Sequence, residues 1–291
     1  MNFSADRERL SRNLQTIIGE RSPLGNRRHL ATVGKFIEAE FESYGMEVER
    51  NYFSWRGEFF HNVIARFSGS KSDRHLILGA HFDSVVGTPG ADDNASGVAV
   101  LLETARLLSQ AHLNSQVLMC AFNLEELNMI GSTAFATKLK AAGTKVEGMI
   151  SLEMIGYTDF RAGSQKLPVG LSRFYPDRGD FIGIVGNWKS KNTLQTISKA
   201  MREVPDLPVE TLSVPGNGML IPAVRLSDHA PFWDLGYPAV MVTDTSFYRN
   251  PHYHAATDTI ETLNIEFTAK VCEGVARGIM ALESLSGIEK K

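Results

Sequence analysis

Three short apolar runs, at residues 75–80 (HLILGA), 117–122 (VLMCAF) and 146–152 (VEGMISL), lead into side chains that can bind a metal or move a proton. The first is followed by His81, the second by the pair Glu125-Glu126, and the third by Glu153. Runs this short, bounded by charged and turn-forming residues, fit strands buried on both faces. Between them, Val98, Leu101, Leu102, Ala105 and Leu108 recur at helical spacing, and residues 132–140 read as a further helix. Strands alternating with helices predict an α/β fold with a mostly parallel central sheet flanked by helices. In such open sheets ligands bind outside the carboxyl ends of the strands, so distant parts of this chain are expected to meet in one site.

The remaining pattern extends this fold. Residues 5–20 and 28–45 read as amphipathic helices, 46–55 and 59–67 as strands, 181–185 and 239–242 as core strands, and Val271, Val275 and Ile279 mark a closing helix. No internal repeat, low-complexity tract or linker rich in Ser, Gly or Pro divides the chain. The expectation is therefore a single globular domain over 1–291, with the N-terminal helices of 1–45 packed on it. The least periodic stretch, 156–180, suits a long ordered loop near the site.

Composition narrows the partners. With 291 residues, 43% of them hydrophobic, the chain can bury a sizeable core. A net charge of -3 without a basic block predicts no nucleic-acid partner and no anionic membrane surface. Two cysteines make no disulfide framework, and Cys120 sits in an apolar run as a small buried hydrophobe. The charged start lacks a signal-peptide pattern, and no apolar run approaches a membrane span. A cytoplasmic location is expected, or a secreted one if a leader has been removed. Oligomeric state is not legible.

The stretch HFDSVVGTPGADDNASG, residues 81–97, joins a histidine, several carboxylates and turn-formers between a strand and a helix, and nitrogen and carboxylate oxygen are normal zinc ligands. Taken singly, each residue has an ordinary explanation, and Asp92-Asp93 could merely cap a helix. Their joint placement at strand ends favours a metal site and hydrolysis.

The sequence resembles the co-catalytic zinc aminopeptidases of metallopeptidase family 28, which share a scaffold with glutamate carboxypeptidase and the glutaminyl cyclases. The resemblance rests on HFDS at His81, PGADDNASG at Pro89, NLEELNMIGS at Asn123, SLEMIGY at Ser151, SDHAPFW at Ser227 and YHAATDT at Tyr253, in the family's order. It implies a phosphorylase/aminopeptidase-like sandwich and two zinc ions, with cobalt or manganese as possible substitutes. His81 and Glu153 would complete one site, Glu126 and His254 the other, and Asp93 would bridge them. Asp92 would be structural, with a cis peptide just after the bridging residue. His252 competes for the place of His254, but the spacing from Tyr253-His254 to Asp258 favours the latter.

Glu125 resembles the family's general base, taking a proton from a water that bridges the zincs and returning it to the leaving amine. Asp83 is expected to orient His81. Asp258 would support His254 or start a helix at Thr259. Tyr253 matches a position that can stabilise the oxyanion. His29, His61, His75 and His112 read as packing or surface residues, and His229 is assigned no metal role. Many members carry Asp where this chain has Glu153, one methylene longer.

The implied activity is that of a di-zinc exopeptidase, an aminopeptidase acting on peptides with a free N-terminus, whose amine is held by Glu125 and Glu153. Phe160, Leu167, Phe174, Met219 and Leu220 lean toward an apolar first residue, in a pocket drawn from 156–180 and 213–223. The alternatives are a single-zinc acyltransferase of the glutaminyl cyclase kind, a non-catalytic binding module, and a carboxypeptidase on acidic peptides. The last would need cations such as Arg161, Arg178, Arg225 or Arg249.

Overall fold

A computed structural model of the protein describes residues 3–67, 73–168 and 170–286, so the two ends of the expected 1–291 domain lie outside the described residues. Helices α1 (Arg7–Ile17) and α2 (Arg27–Ser43) start at Asp6 and Asn26, whose side chains accept the N–H of Arg9 and His29. Leu10, Leu14 and Ile17 of α1 and Leu30, Val33, Ile37 and Phe41 of α2 are buried, as their spacing predicts. Strands β1 (Met46–Trp55) and β2 (Glu58–Phe67) form an antiparallel hairpin. Its two-residue turn, Arg56-Gly57, has positive φ at both positions, the backbone twist that tight hairpins favour.

Then follow β3 (Arg74–His81), α3 (Gly97–Leu108), β4 (Gln116–Phe122), α4 (Ile130–Ala141), β5 (Lys145–Glu153), β6 (Ile182–Asn187) and α5 (Lys191–Met201). The chain continues through β7 (Val209–Val214), α6 (His229–Asp234), β8 (Ala239–Thr243) and α7 (Ile265–Ser286). All eight strands form one mixed sheet in the order β1-β2-β4-β3-β5-β8-β6-β7. The pairs β3–β4, β3–β5, β5–β8 and β6–β7 are parallel. Those of β1–β2, β2–β4 and β6–β8 are antiparallel.

Helices cover both faces. One core joins the sheet to α1, α2, α3, α5 and α7, and a second joins it to α4 and α6. α3 is buried at every residue from Gly97 to Ala105, because α1, α2 and α7 pack over its outer side. Its Glu103 is buried as well, and is bound by Arg106 and by the N–H of Asp6. The connection through α3 carries the chain from β3 to β4, while α4 on the opposite face returns it to β5 on the far side of β3. This divergence opens a crevice at the carboxyl end of β3, the usual ligand position in α/β sheets.

Helix α5, strand β7 and helix α6 go beyond the sequence expectation. α6 has six residues, too few for a period to stand out, and β7 is an edge strand whose middle residues are only partly buried.

Candidate metal centre

β3 ends at His81 and β5 at Glu153, both buried, and the loop leaving β4 carries Glu125 and Glu126. Because β3 runs parallel to both neighbours, these groups reach the same edge of the sheet. Asp93 enters from the turn before α3. There Gly90, at φ +64°, has no room for a side chain: a Cβ would stand 2.5 Å from the carbonyl oxygen of Asp93. The Asp93–Asn94 peptide is cis, at the position expected. Asn94 fastens this turn to the end of β5, donating to the carbonyl of Leu152 at 2.8 Å and accepting from the N–H of Met154 at 3.1 Å.

The two oxygens of Asp93 face different imidazoles. Oδ1 is 3.4 Å from His81 Nε2, and Oδ2 is 3.2 Å from His254 Nε2. Each imidazole has a further carboxylate, Glu153 at 3.4 Å from His81 Nε2 and Glu126 at 3.3 Å from His254 Nε2. Two groups able to hold a metal result, His81–Asp93–Glu153 and Asp93–Glu126–His254, with Asp93 in both. Ligands about 2.0–2.2 Å from a tetrahedral zinc stand roughly 3.3–3.5 Å from one another, close to the 3.2–3.4 Å between each imidazole and its carboxylates. The buried atoms His81 Nε2 and Glu126 Oε1 have no hydrogen-bond partner. Orphaned polar atoms are costly unless a cation answers them, and the set of imidazole and carboxylate donors fits zinc.

The charge balance points the same way. Burial lowers the pKa of His254, but its bonds to Asp93 and Glu126 outweigh this and hold it at about 10. Burial opposes the charge on Asp93 as well, yet His254 and His81 keep its carboxyl well below the ordinary range. A cluster of buried carboxylates thus draws protons onto two imidazoles, and a divalent cation answers the same field more directly.

Glu125 belongs to neither group. Its Oε2 is 3.9 Å from His81 Nε2, and burial pushes its pKa well up, opposed by His81 and reinforced by Glu153 and Glu126. Asp83 lies behind both His81 and the glutamate pair. Its Oδ1 is 3.6 Å from His81 Nδ1 and accepts the N–H of Glu125 at 3.0 Å, while Oδ2 accepts the N–H of Glu126 at 3.2 Å. Glu153 accepts a bond from Ser227, which is in turn bonded to Ser151. Tyr253 stacks on His254, ring centroids 3.7 Å apart, and burial followed by the nearby carboxylates raises its pKa. Leu124, Met154 and His254 all adopt left-handed φ, a conformation uncommon for non-glycine residues.

The neighbouring residues take other partners, Asp92 and His252 as expected and Asp258 not. Asp92 stands outside both groups, accepting from the N–H of Gly156 and from Asn250. Asp258 neither supports His254 nor starts an α-helix. Its two oxygens accept the N–H groups of Asp92 and Asp93, and a single 3-10 turn, Ile260–Thr262, follows it. His252 bonds Thr257. Arg21 was not singled out by sequence, since its partners are distant backbone carbonyls. Fully buried, it donates to the carbonyls of Ile17, Gly19, Phe82, Pro89 and Gly90, tying the end of β3 to the turn that delivers Asp93.

His229 is buried away from both groups, with Nε2 at 2.8 Å from the carbonyl of Val224 and no partner for Nδ1. Burial lowers its pKa to about 4 from 6.5. The folded state therefore binds fewer protons than the unfolded one between these values, so this contribution is complete above pH 6.5 and is lost as pH falls toward 4. Chemical denaturation at pH 7.5 and 4.5 is expected to show wild type losing about 2–3 kcal/mol more than His229→Gln.

Of the apolar residues expected to line a substrate pocket, Leu167 does so, whereas Phe160, Phe174, Met219 and Leu220 are exposed. The pocket opens beside Glu153. Of the four arginines considered for a carboxylate site, Arg161 pairs with Asp159, Arg178 with Asp180 and Arg225 with Asp234, while Arg249 bonds Gln165 and covers the ring of Phe181 with its buried Nη2 unpaired.

Residues 62–279 match peptidase family M28. The chain belongs to this family. It is 40% identical over 252 residues to the uncharacterized protein YfbL of Escherichia coli, covering 83% of this chain and 77% of that one. It is 29% identical over 237 residues to a probable zinc metalloprotease of Pyrenophora tritici-repentis, covering 72% and 49% respectively. It is 28% identical over 246 residues to leucine aminopeptidase 1 of Ajellomyces dermatitidis, covering 79% and 58%. The chain thus spans roughly half of these fungal relatives.

Among solved structures, LapA aminopeptidase of Legionella pneumophila superposes with a TM-score of 0.76 at 18% identity, covering 96% of this chain and 72% of that one. An aminopeptidase from Aneurinibacillus gives 0.72 at 19%, covering 95% and 93%. Glutaminyl cyclase of Porphyromonas gingivalis gives 0.68 at 20%, covering 94% and 96%. At these identities the M28 protein shares the fold with all three. No helix among the described residues is long and apolar enough to cross a membrane.

Proposed function

We propose that this M28 protein is a di-zinc aminopeptidase that removes the first residue of peptides with a free N-terminus. The observation that carries this reading is Asp93, whose two oxygens address two imidazoles that each have a further carboxylate. His81, Asp93 and Glu153 would hold one zinc, and Asp93, Glu126 and His254 the other. Zinc at these groups supplies Lewis-acid activation of the scissile carbonyl and of the attacking water. Glu125 takes the water's proton and delivers it to the nitrogen of the leaving amine, being a carboxylate beside both groups and a member of neither. Asp83 positions this step by holding the N–H groups of Glu125 and Glu126 and facing His81. Tyr253, whose ring stacks on His254, would donate to the developing oxyanion.

The carboxylates of Glu125 and Glu153 hold the substrate's α-ammonium, and its first side chain enters the apolar pocket beside Glu153. The names of the zinc metalloprotease and leucine aminopeptidase relatives support this assignment. The complete double ligand set disfavours a single-zinc cyclase and a binding module, and the engaged arginines disfavour a carboxypeptidase.

Zinc-loaded protein is expected to hydrolyse aminoacyl p-nitroanilides at least a hundredfold faster than their N-acetylated forms, since acetylation removes the charge that the carboxylates bind. Equal rates on both forms would overturn the amine assignment. Cyclisation of glutaminyl substrates without hydrolysis of the others would favour the cyclase.

A further inference from the structure

The pocket beside Glu153 has apolar walls, among them Leu171, Leu212, Val224 and Met241 with the rings of Tyr175 and Phe181. Two charged residues line it among the described residues, Glu153 at the metal end and Glu210 on the edge strand β7. The strand register puts them in one row. Glu153 lies opposite Thr243, Thr243 opposite Gly183, and Gly183 opposite Glu210.

Core membership shows which face this row occupies. Val209, one residue before Glu210, packs in the core that holds α5 and α7, whereas Leu212, two residues after it, packs in the core of α4 and α6. Met149 of β5 and Met241 of β8, in phase with Glu153 and Thr243, lie in that second core too. Gly183 brings no side chain to the row, and a Cβ there would stand 3.3 Å from the carbonyl oxygen of Thr243. Thr243 lies in the row between Glu153 and Gly183, and the methyls of Thr245 and Thr243, 3.6 and 3.9 Å from the same point, border the row at its middle.

Glu210 is half-buried, and its carboxylate forms no hydrogen bond or ion pair among the described residues. Three strand spacings of about 4.8 Å put the two glutamates roughly 14 Å apart along the row. An extended lysine measures about 7.5 Å from its α-nitrogen to Nζ over six bonds, taking each at roughly 1.5 Å with tetrahedral angles. A charge-assisted hydrogen bond of about 2.8 Å at each end brings this to roughly 13 Å between carboxylate oxygens, the span expected of two glutamate side chains that stand parallel on backbones this far apart. Apolar walls suit the methylene stem, and the ring of Tyr175 suits a passing cation.

We infer that Glu210 reads the end of the substrate's first side chain and makes the protein selective for N-terminal lysine or arginine. This rests on the aminopeptidase reading and refines its expectation of a plainly apolar first residue. The competing explanation for Glu210 is a charge that guards an edge strand against pairing with another sheet.

Steady-state kinetics on lysyl, arginyl and norleucyl p-nitroanilides, with zinc-loaded wild type and Glu210→Gln, separate the two. The expected kcat/KM of wild type favours lysyl and arginyl over norleucyl substrate by at least tenfold, a preference that Glu210→Gln abolishes. A wild-type ratio near one, or a ratio unmoved by the substitution, overturns the inference. Calorimetric binding of L-lysinamide and L-norleucinamide to the same two proteins gives a readout that needs no turnover. Tighter lysinamide binding that depends on Glu210 supports the pocket assignment even if no anilide is cleaved, in which case only the aminopeptidase reading fails. Equal binding of both amides to wild type overturns it.

Discussion

Glu125→Gln is expected to lower kcat for aminoacyl anilide hydrolysis by about a thousandfold while leaving the zinc content of the protein unchanged. The amide retains the size and polarity of the carboxylate but cannot take a proton from water. The geometry separates this residue from its neighbour: Glu126 Oε2 faces His254 at 3.3 Å within a ligand group, whereas Glu125 stands 3.9 Å from His81 and outside both groups. Glu126→Gln should accordingly lose metal as well as rate. Steady-state kinetics with metal analysis by mass spectrometry distinguish the two variants. A Glu125→Gln protein that keeps more than a tenth of wild-type kcat would exclude it as the base, and loss of zinc from that variant would reassign it as a ligand.

Removal of zinc by a chelator is expected to abolish hydrolysis and to lower the thermal midpoint by about 10–15 °C relative to the zinc-saturated protein. Free zinc at a thousand times the dissociation constant adds about 4 kcal/mol per site, and each kcal/mol corresponds to roughly 2 °C in a chain of this size. The three carboxylates of Asp93, Glu126 and Glu153 share two imidazoles, and the buried atoms His81 Nε2 and Glu126 Oε1 have no hydrogen-bond partner, so the folded protein gains much by binding cations. Metal analysis of the saturated wild type should find two zinc ions per chain. Asp93→Ala removes the group shared by both sites and should lose most of the zinc-induced shift, whereas Glu153→Ala should lose about half. Scanning calorimetry across a zinc titration measures this, and one zinc per saturated chain would rule out the paired centre.

Much of this arrangement was legible because its signals are local. β3, β4 and β5 are buried on both faces, so each is a run of apolar residues whose end is easy to find, and the residues at those ends include His81 and Glu153. The turn at 89–97 announces itself by its glycines and acidic residues, and the ordered motifs of the M28 family select Asp93 over Asp92 within it. β7 and α6 were harder to see, the first because an edge strand buries little, the second because six residues contain less than two helical turns. The four exposed apolar residues of the two pocket segments show the converse. Hydrophobicity in a loop does not reveal which side chains turn inward.

From sequence alone came the α/β class, the strand ends, and the residue types offered to a metal, all set by short-range pattern and chemistry. The tertiary structure decided which atoms meet. Asp258 supports the Asp92-Asp93 backbone rather than His254, and Arg21 clamps carbonyls at 82, 89 and 90, contacts separated by more than sixty residues along the chain. It also aligned Glu210 with Glu153, through the register of four strands whose order in the sheet differs from their order in the chain. Periodicity records whether a side chain is buried, but the partner it meets is set by how the elements pack in three dimensions.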